Sequence, residues 1–398
     1  MSRIVLAMSG GVDSSVSAYL LRAAGHDVIG VFMRHGETVE AASCASAAAE
    51  PPSTLPIVAA RSAHKQGCCS AGDAADARRV ADRLEIPFYA LDLSSDFGRI
   101  VDYFVAEYQS ARTPNPCVVC NTWLKFGKLF EYADCVGAEF VATGHYARLE
   151  RPAGWHWQAD PLARVPAASA GPAELAGADE AVPILRRGLD TSKDQSYVLF
   201  GVDRSRLPRM MFPVGGHQKE EIRRIARELD LRVADKKDSQ EICFVAAGEH
   251  ADFVRRRGGA DDTSGEIVTT AGTVVGRHEG IESFTIGQRK GLGVALGEPR
   301  YVVRLEVESH RVVIGMRDEL ARDKFFADRT NWLAAEPIAP FRCLAQIRYN
   351  SKAVPATVEP LADRRIQVHP DDPQIGVAPG QAVVCYDGDR VLGGGWIE

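Results

Sequence analysis

The sequence predicts an α/β protein of three parts: a first domain on a parallel sheet over residues 1–207, a small central domain over 208–280, and a C-terminal β-barrel over 281–398. Three observations carry that expectation. The 398 residues exceed what one ordinary hydrophobic core organises, so two or three domains are expected. The first half alternates apolar strand-like runs with helical stretches, the pattern of a parallel sheet covered on both faces. From Ser283 onward the pattern changes to short strands between turn residues, which suggests a barrel, or else a sandwich.

The elements follow in order. Ile4-Val5-Leu6-Ala7-Met8 is a short apolar run, read as a buried strand because Ser9 interrupts it where an export signal would still need apolar residues. A Gly/Ser turn, a helix from about Ser14 to Ala24 stopped by Gly25, and a strand from Asp27 to Phe32 complete a βαβ unit. Two Ala/Pro-rich segments, 37–66 and 151–181, lack sustained periodicity and are read as surface insertions with no part in the chemistry. Between them come a helix over Ala71–Leu84, a strand over Ile86–Leu91, helices over Phe97–Ala111 and Lys125–Val136, and a strand over Glu139–Thr143. Lys219–Leu229 forms a strongly charged helix near the start of the central part. The strands assigned to the barrel are Tyr301–Val307, Arg311–Ile314, Cys343–Tyr349, Arg365–Val368 and Gln381–Cys385.

Composition narrows the class. With 45% hydrophobic and 25% charged residues, and no apolar run long enough to span a bilayer, no membrane role is expected. The nine cysteines are an odd number in a chain with no visible export signal, which favours reduced thiols available for metal or catalysis and a cytoplasmic location. A net charge of −6, with 15 Lys+Arg against 16 Asp+Glu over 281–398, supplies no general attraction to nucleic acid. Any RNA partner must therefore use a local patch.

The opening loop is Ser9-Gly10-Gly11-Val12-Asp13-Ser14-Ser15. Two glycines allow positive φ and close approach of a ligand, and three serines stand at a helix N-terminus whose unpaired amides favour anions. The Gly-Lys-Ser/Thr ending of a Walker loop is missing, so a pyrophosphate rather than a transferable terminal phosphate is the expected guest. Asp13 is expected to help hold Mg2+. Ala142-Thr143-Gly144-His145-Tyr146 ends a later strand of the same domain, where ligands of open α/β sheets gather. Gly144 is placed near the nucleotide and His145 near the substrate.

Arg112-Thr113-Pro114-Asn115-Pro116-Cys117-Val118-Val119-Cys120-Asn121 sets two thiols in a Cys-x-x-Cys behind prolines that stiffen the loop. Such a pair is half a zinc site, although adjacent Cys68-Cys69 is a poor second half. Cys243 lies in Lys236-Lys237-Asp238-Ser239-Gln240-Glu241-Ile242-Cys243-Phe244, where two nearby lysines would favour a thiolate, while Ile242 and Phe244 suit a core thiol equally well.

The loop resembles that of the PP-loop ATP pyrophosphatases, whose Rossmann-like domain is of the adenine nucleotide alpha hydrolase type. Taken with Arg112–Asn121, Ala142–Tyr146, Leu189–Tyr197, Phe212–Gly215, Lys236–Phe244, Thr285–Gly293 and Gly393–Glu398, the chain resembles the bacterial tRNA-specific 2-thiouridylases of the MnmA type over nearly its whole length. That resemblance implies ATP-dependent 2-thiolation of the wobble uridine of tRNA, as in the tRNAs for lysine, glutamate and glutamine. It implies ATP contacts at Ala7, Met8, Ser9, Gly10, Gly11, Val12, Asp13, Ser14, Met33 and Gly144, with Mg2+. The catalytic pair would be Cys120 and Cys243, with the persulfide on Cys243 and a disulfide forming between the two.

Asn115, Pro116 and Cys117 would surround the target base. Further tRNA contacts are implied at His145, Lys193, Asp194, Gln195, Arg348, Tyr349 and Gln381. Gln288-Arg289-Lys290 reads from its own chemistry as a phosphate contact, or simply as a solvated face. A cysteine desulfurase or sulfur-relay protein would be the donor, and a monomer is expected. Cys117 departs from some members of the family, so an iron-sulfur cluster on Cys117, Cys120 and Cys243 is an alternative. A PP-loop ligase for a small molecule would share the loop but have no need of the cysteines. A zinc-stabilised RNA-binding module would leave the loop unexplained.

Overall fold

The computed structural model describes residues 1–34, 70–151, 182–238, 242–245, 248–259 and 262–398. Both Ala/Pro-rich segments apart from Arg151, together with Cys44 and Cys68-Cys69, lie outside the described residues.

The first domain is an all-parallel sheet. Its strands β1 (Arg3–Ala7), β2 (Asp27–Arg34), β3 (Phe88–Asp92) and β4 (Phe140–Ala142) are joined by helices α1 (Val12–Ala23), α2 (Ala71–Arg83), α3 (Ser94–Gln109), α4 (Pro116–Cys120) and α5 (Leu129–Cys135). β5 (Ala147–Glu150) and β6 (Ile184–Arg187) then form an antiparallel pair, and β7 (Met210–Met211) returns to the sheet, whose order is β3-β2-β1-β4-β7. Parallel strands buried on both faces read as continuous apolar runs, and Ile4, Val5 and Leu6 are indeed fully buried, as is Val31.

The sequence reading begins a helix at Lys125, whereas the observed segment starts earlier. α4 runs into a π-helix over Asn121–Lys128 and then into α5. Wide turns of this kind are rare and recur at functional sites; this one directly follows the Cys-x-x-Cys. α6 (Lys219–Glu228), expected in the central part, buries Ile222 and Ala226 in the core of the first domain beside α1. With β7 it carries that domain well past residue 207.

After α7 (His250–Gly258), strands β8 (Gly265–Thr269), β9 (Val274–His278), β10 (Tyr301–Glu306) and β11 (Arg311–Gly315) form a separate sheet ordered β10-β11-β8-β9. β10 and β11, grouped with the barrel on sequence, pair here instead, so the expected boundary at 280 falls inside this sheet. Their alternation was legible; their partners lie upstream, and strand pairing is a non-local choice.

A short strand β12 (Ala321–Arg322) leads into the barrel strands β13 (Phe325–Trp332), β14 (Phe341–Gln346), β15 (Val354–Leu361) and β16 (Arg365–Pro370). β17 (Gln374–Ile375) pairs with β12, and β18 (Ala382–Asp387) and β19 (Arg390–Ile397) complete the chain. The order β13-β16-β15-β14-β18-β19 closes because β13 also pairs β19, as at Ala327↔Ile397. Closure removes the exposed edges, and the expected barrel is the form observed. The β5–β6 pair of the first domain joins β19 through Arg186↔Arg390. Asp389 there holds Arg148 at 2.6 Å and also pairs with Arg186.

Candidate active site

The phosphate loop sits between β1 and α1. Gly10 takes φ +71, and a Cβ there would lie 2.2 Å from the Asp73 carbonyl oxygen of α2, so only glycine fits. Gly11 caps α1 without a side-chain hydrogen bond, which leaves the first amides of the helix for an anion. The serine hydroxyls face inward: Ser15 Oγ donates to the Gly11 carbonyl at 2.8 Å and Ser14 Oγ accepts from the Ser9 amide at 3.2 Å. They hold the shape of the loop, and the amides are what remains for phosphate. A Cβ on Gly144 would approach the Ser14 nitrogen to 2.8 Å, so the end of β4 presses its backbone against the loop as the sequence reading expected. Met8 is buried in the sheet core, and Met33, half-buried at the end of β2, packs against the cluster that holds the cysteines.

Asp13 has protein partners of its own. Its carboxylate accepts from Lys219 Nζ at 2.8 and 2.9 Å and from the Tyr146 hydroxyl at 2.8 Å. Lys219 is 4% exposed and also contacts Asp238 at 2.8 Å; burial and the neighbouring aspartates push the Tyr146 hydroxyl well above its usual range. The Lys219 ammonium thus balances the Asp13 carboxylate. Lys236 reaches the Gly10 carbonyl at 2.8 Å, Asp73 at 2.5 Å and Asp76 at 3.0 Å. It is therefore tied to the phosphate loop, and not to Cys243 as its sequence position suggested. Lys219, Asp73 and Asp76 were not singled out from sequence, though the charged helix at 219 was marked, and Tyr146 stood only as the last residue of the Ala142–Tyr146 motif.

Asn115 caps α4 by accepting from the Val118 amide at 3.3 Å, with Pro116 in the first turn. Cys117 is exposed and Cys120 half-buried. Cys120 and Cys243, far apart in sequence, pack against one apolar cluster of Leu93, Phe97, Ile100, Val101, Val119 and Leu124. Phe244 anchors the second cysteine with ring contacts to Phe97 at 5.4 Å and Phe104 at 5.2 Å. Among the described residues no group of three or more His, Cys, Asp or Glu side chains converges as a metal site, so the three-cysteine cluster has no preassembled ligand set here.

The residues expected to meet tRNA divide into two groups. His145 is 6% exposed, bonded through Nδ1 to Thr143 Oγ1 at 2.7 Å and 3.4 Å from Lys125 Nζ. Burial first, and then Lys125, hold its pKa well below the ordinary value. Asp194 accepts from Arg187 at 2.8 Å and from the Gly188 and Ser196 amides at 2.9 and 3.1 Å. Gln195 Oε1 accepts from the Tyr146 amide at 3.0 Å, and Lys193 pairs with Asp238 at 2.7 Å. Gln381 donates to the carbonyls of Thr113 and Pro114 at 3.1 Å each. Each of these five has a partner within the protein.

Tyr349, by contrast, is 42% exposed, lies 6.2 Å from the Tyr197 ring and is close enough to feel Cys117. Arg348 donates to the Ile286 carbonyl at 3.1 Å, which ties the Thr285–Gly293 segment to the barrel. The fully buried Tyr197 hydroxyl donates to the Ala382 carbonyl at 2.9 Å and bonds the side chain of Asn115.

A parallel-sheet domain whose first strand runs into a helix with free N-terminal amides, a separate four-stranded sheet and a closed barrel define a three-domain α/β protein. Residues 2–247 match the family described as tRNA methyl transferase HUP domain, 251–316 the tRNA methyl transferase PRC-barrel domain, and 322–397 the aminomethyltransferase beta-barrel domain. The chain is 56% identical to the tRNA-specific 2-thiouridylase MnmA of Rhodopirellula baltica, over 100% of this chain and 96% of the relative. It is 44% identical to that of Solibacter usitatus over 99% of both chains, and 42% to that of Geotalea uraniireducens over 100% and 95%. It belongs to the tRNA-specific 2-thiouridylase MnmA family. Among solved structures, NMN synthetase from Francisella tularensis aligns over 59% of this chain and 66% of its own at 14% identity and TM-score 0.31, too distant a likeness to inform the site. Among the described residues no helix is long and apolar enough to cross a membrane.

Proposed function

We propose that the chain carries out ATP-dependent 2-thiolation of the wobble uridine of tRNA. The observation that carries this reading is the packing of Cys120 and Cys243 against one cluster that also holds Met33, at the strand end beside the phosphate loop. A small-molecule ligase would have no use for that pairing.

The unpaired amides of α1 bind the nucleotide's pyrophosphate, with contacts from Ala7 to Ser14, Met33 and Gly144 orienting ATP. Mg2+, delivered with the nucleotide, screens the phosphates. Asn115, Pro116 and Cys117 surround the base, and Tyr349 stacks beside it. The uridine 2-oxygen attacks the α-phosphorus and pyrophosphate leaves. The terminal sulfur of a Cys243 persulfide then attacks C2, and AMP departs with the former 2-oxygen. The Cys120 thiolate attacks Cys243 Sγ and breaks the persulfide S–S bond, which leaves sulfur on C2 and a Cys120–Cys243 disulfide for an external thiol to reduce. A cysteine desulfurase or relay protein recharges Cys243.

Incubation with unmodified tRNA, ATP and a persulfide donor, read for 2-thiouridine by mass spectrometry, tests the reading. No product with an active donor overturns it. Pyrophosphate release that is independent of tRNA would favour the ligase instead.

A further inference from the structure

Arg289 and Lys290 are exposed and make no ion pair among the described residues. Several other cations of the central sheet and the barrel are matched: Arg304 by Glu306, Arg311 by Glu266, Arg342 by Asp371 and Arg365 by Glu398. In a chain of net charge −6, an anionic polymer is drawn to wherever cations stay free. Arg289 lies on the wall of a groove of about 480 Å³ formed with the segment from Gly291 to Arg300. Arg300 on the same groove is paired with Glu298 at 2.7 Å, so the groove and neighbouring Lys290 carry three cations against one carboxylate.

The segment after Lys290 is anchored at every second residue. Leu292 is buried in the core of the central sheet, and Val294 and Leu296 pack against that core. The alternate residues Gly291, Gly293, Ala295 and Gly297 are exposed, so what faces out is main chain with at most a methyl group. Gln288 holds the preceding turn, accepting from the Thr285 amide at 3.0 Å and donating to the Lys290 carbonyl at 3.0 Å. A wall of bare backbone beside a free guanidinium and a free ammonium suits a sugar-phosphate chain. Amides and cations meet phosphate oxygens, and no side chain is offered that would read a base.

The groove is also continuous with the loop at Asn115. Arg348 donates to the Ile286 carbonyl, and the short chain from there to Arg289 keeps the two within about 10 Å. Tyr349, next to Arg348, is close enough to feel Cys117, and Ala111, just ahead of the Arg112–Asn121 stretch, packs on the core of the central sheet. We propose that this groove binds phosphates of the tRNA strand flanking the target uridine, with Arg289 and Lys290 as the contacts and the backbone from Gly291 to Gly297 as the wall. Such a contact adds affinity and fixes register without selecting sequence. The inference rests on the thiolation reading above and deepens it with a second contact to the same RNA.

The test follows binding of unmodified tRNA to the full chain by fluorescence anisotropy, from about 50 to 200 mM salt. Arg289→Gln combined with Lys290→Gln should raise the Kd for tRNA about tenfold and flatten the slope of log Kd against log salt by about 1 to 2, with ATP affinity unchanged. Ala295→Glu, which sets a carboxylate on the wall, should weaken tRNA binding as well. Arg22→Gln, exposed at the C-terminal end of α1, should match the parent; an equal loss there overturns the assignment to this groove. In the parent, tRNA should protect Lys290 from acetylation by acetic anhydride, read by peptide mass spectrometry. Lys290 left unprotected overturns the proposal even if no variant folds, as does a double variant with the parent's affinity and salt dependence. Slower thiolation by that variant with tRNA affinity intact assigns the groove to the sulfur donor and overturns the proposal too. Formation of 2-thiouridine is assayed separately: product without these effects on tRNA binding overturns the groove contact alone, and these effects without product overturn the thiolation reading alone.

Discussion

The side-chain amide of Gln381, at the start of β18 in the barrel, donates to the main-chain carbonyls of both Thr113 and Pro114 in the first domain, at 3.1 Å each. The Thr113 amide returns a bond to the Pro379 carbonyl at 2.7 Å. The loop that leads into Asn115, Pro116 and Cys117 is thus clamped by the barrel through Gln381.

Gln381→Ala should leave those two carbonyls without their donor, at a cost of about 1–3 kcal/mol. We expect kcat/KM for tRNA to fall about tenfold or more while the KM for ATP stays near its parent value, as measured in steady-state thiolation assays.

Gly144→Ala should damage the nucleotide site. The new methyl would sit 2.8 Å from the Ser14 nitrogen and 3.0 Å from the Asp13 carbonyl carbon, which are main-chain atoms that cannot rotate away. Overpacking of this sort costs about 1–3 kcal/mol. Calorimetric titration should show weaker ATP binding, and an unchanged affinity would mean that β4 does not brace the loop.

Cys243→Ser and Cys120→Ser should each abolish multiple-turnover formation of 2-thiouridine, whereas Cys135→Ser, exposed at the end of α5, should retain it. Full activity in both catalytic-pair variants would rule out the two-cysteine mechanism.

Acid should destabilise the protein through His145. Its folded pKa is held well below the ordinary 6.5 by burial and then by Lys125, so below about pH 6.5 the unfolded chain binds a proton that the folded chain refuses. The associated loss approaches about 1.4 kcal/mol per pH unit, with no effect above pH 7, where both states are neutral. His250 and His278 shift in the same direction, chiefly by burial. Thermal melts from pH 7.5 to 5 should show a falling Tm, with a shallower slope in His145→Gln; parallel slopes would assign the acid lability to other groups.

Much of the first domain was readable because its signals are local. The run Ile4–Met8 followed by two glycines and a helix reads as a strand, a glycine turn and a helix start within one short stretch, and the structure places each there. Gly144 was also legible, since a glycine at a strand end in such a domain signals close approach. The pairing of β10 and β11 was not: their alternation marks them as strands, yet nothing in Tyr301–Glu306 or Arg311–Gly315 says whether the partner is β8 or a barrel strand. The charge partners were equally hidden, because Lys219 and Lys236 meet Asp13 and Asp73 only through the fold.

The sequence by itself determined the local chemistry: an anion loop lacking a Walker ending, a stiffened Cys-x-x-Cys, a third thiol between apolar neighbours, and a run of short strands. Those properties follow from residue type and spacing, which act over a few residues. Only the tertiary structure decided that Cys120 and Cys243 share one apolar wall, that Lys219 pairs with Asp13, and that Gln381 bonds the Thr113 and Pro114 carbonyls. Each of these depends on contacts between distant segments, where the cost of closing the chain is met by burial of the whole core and leaves no mark on the residues nearby in sequence.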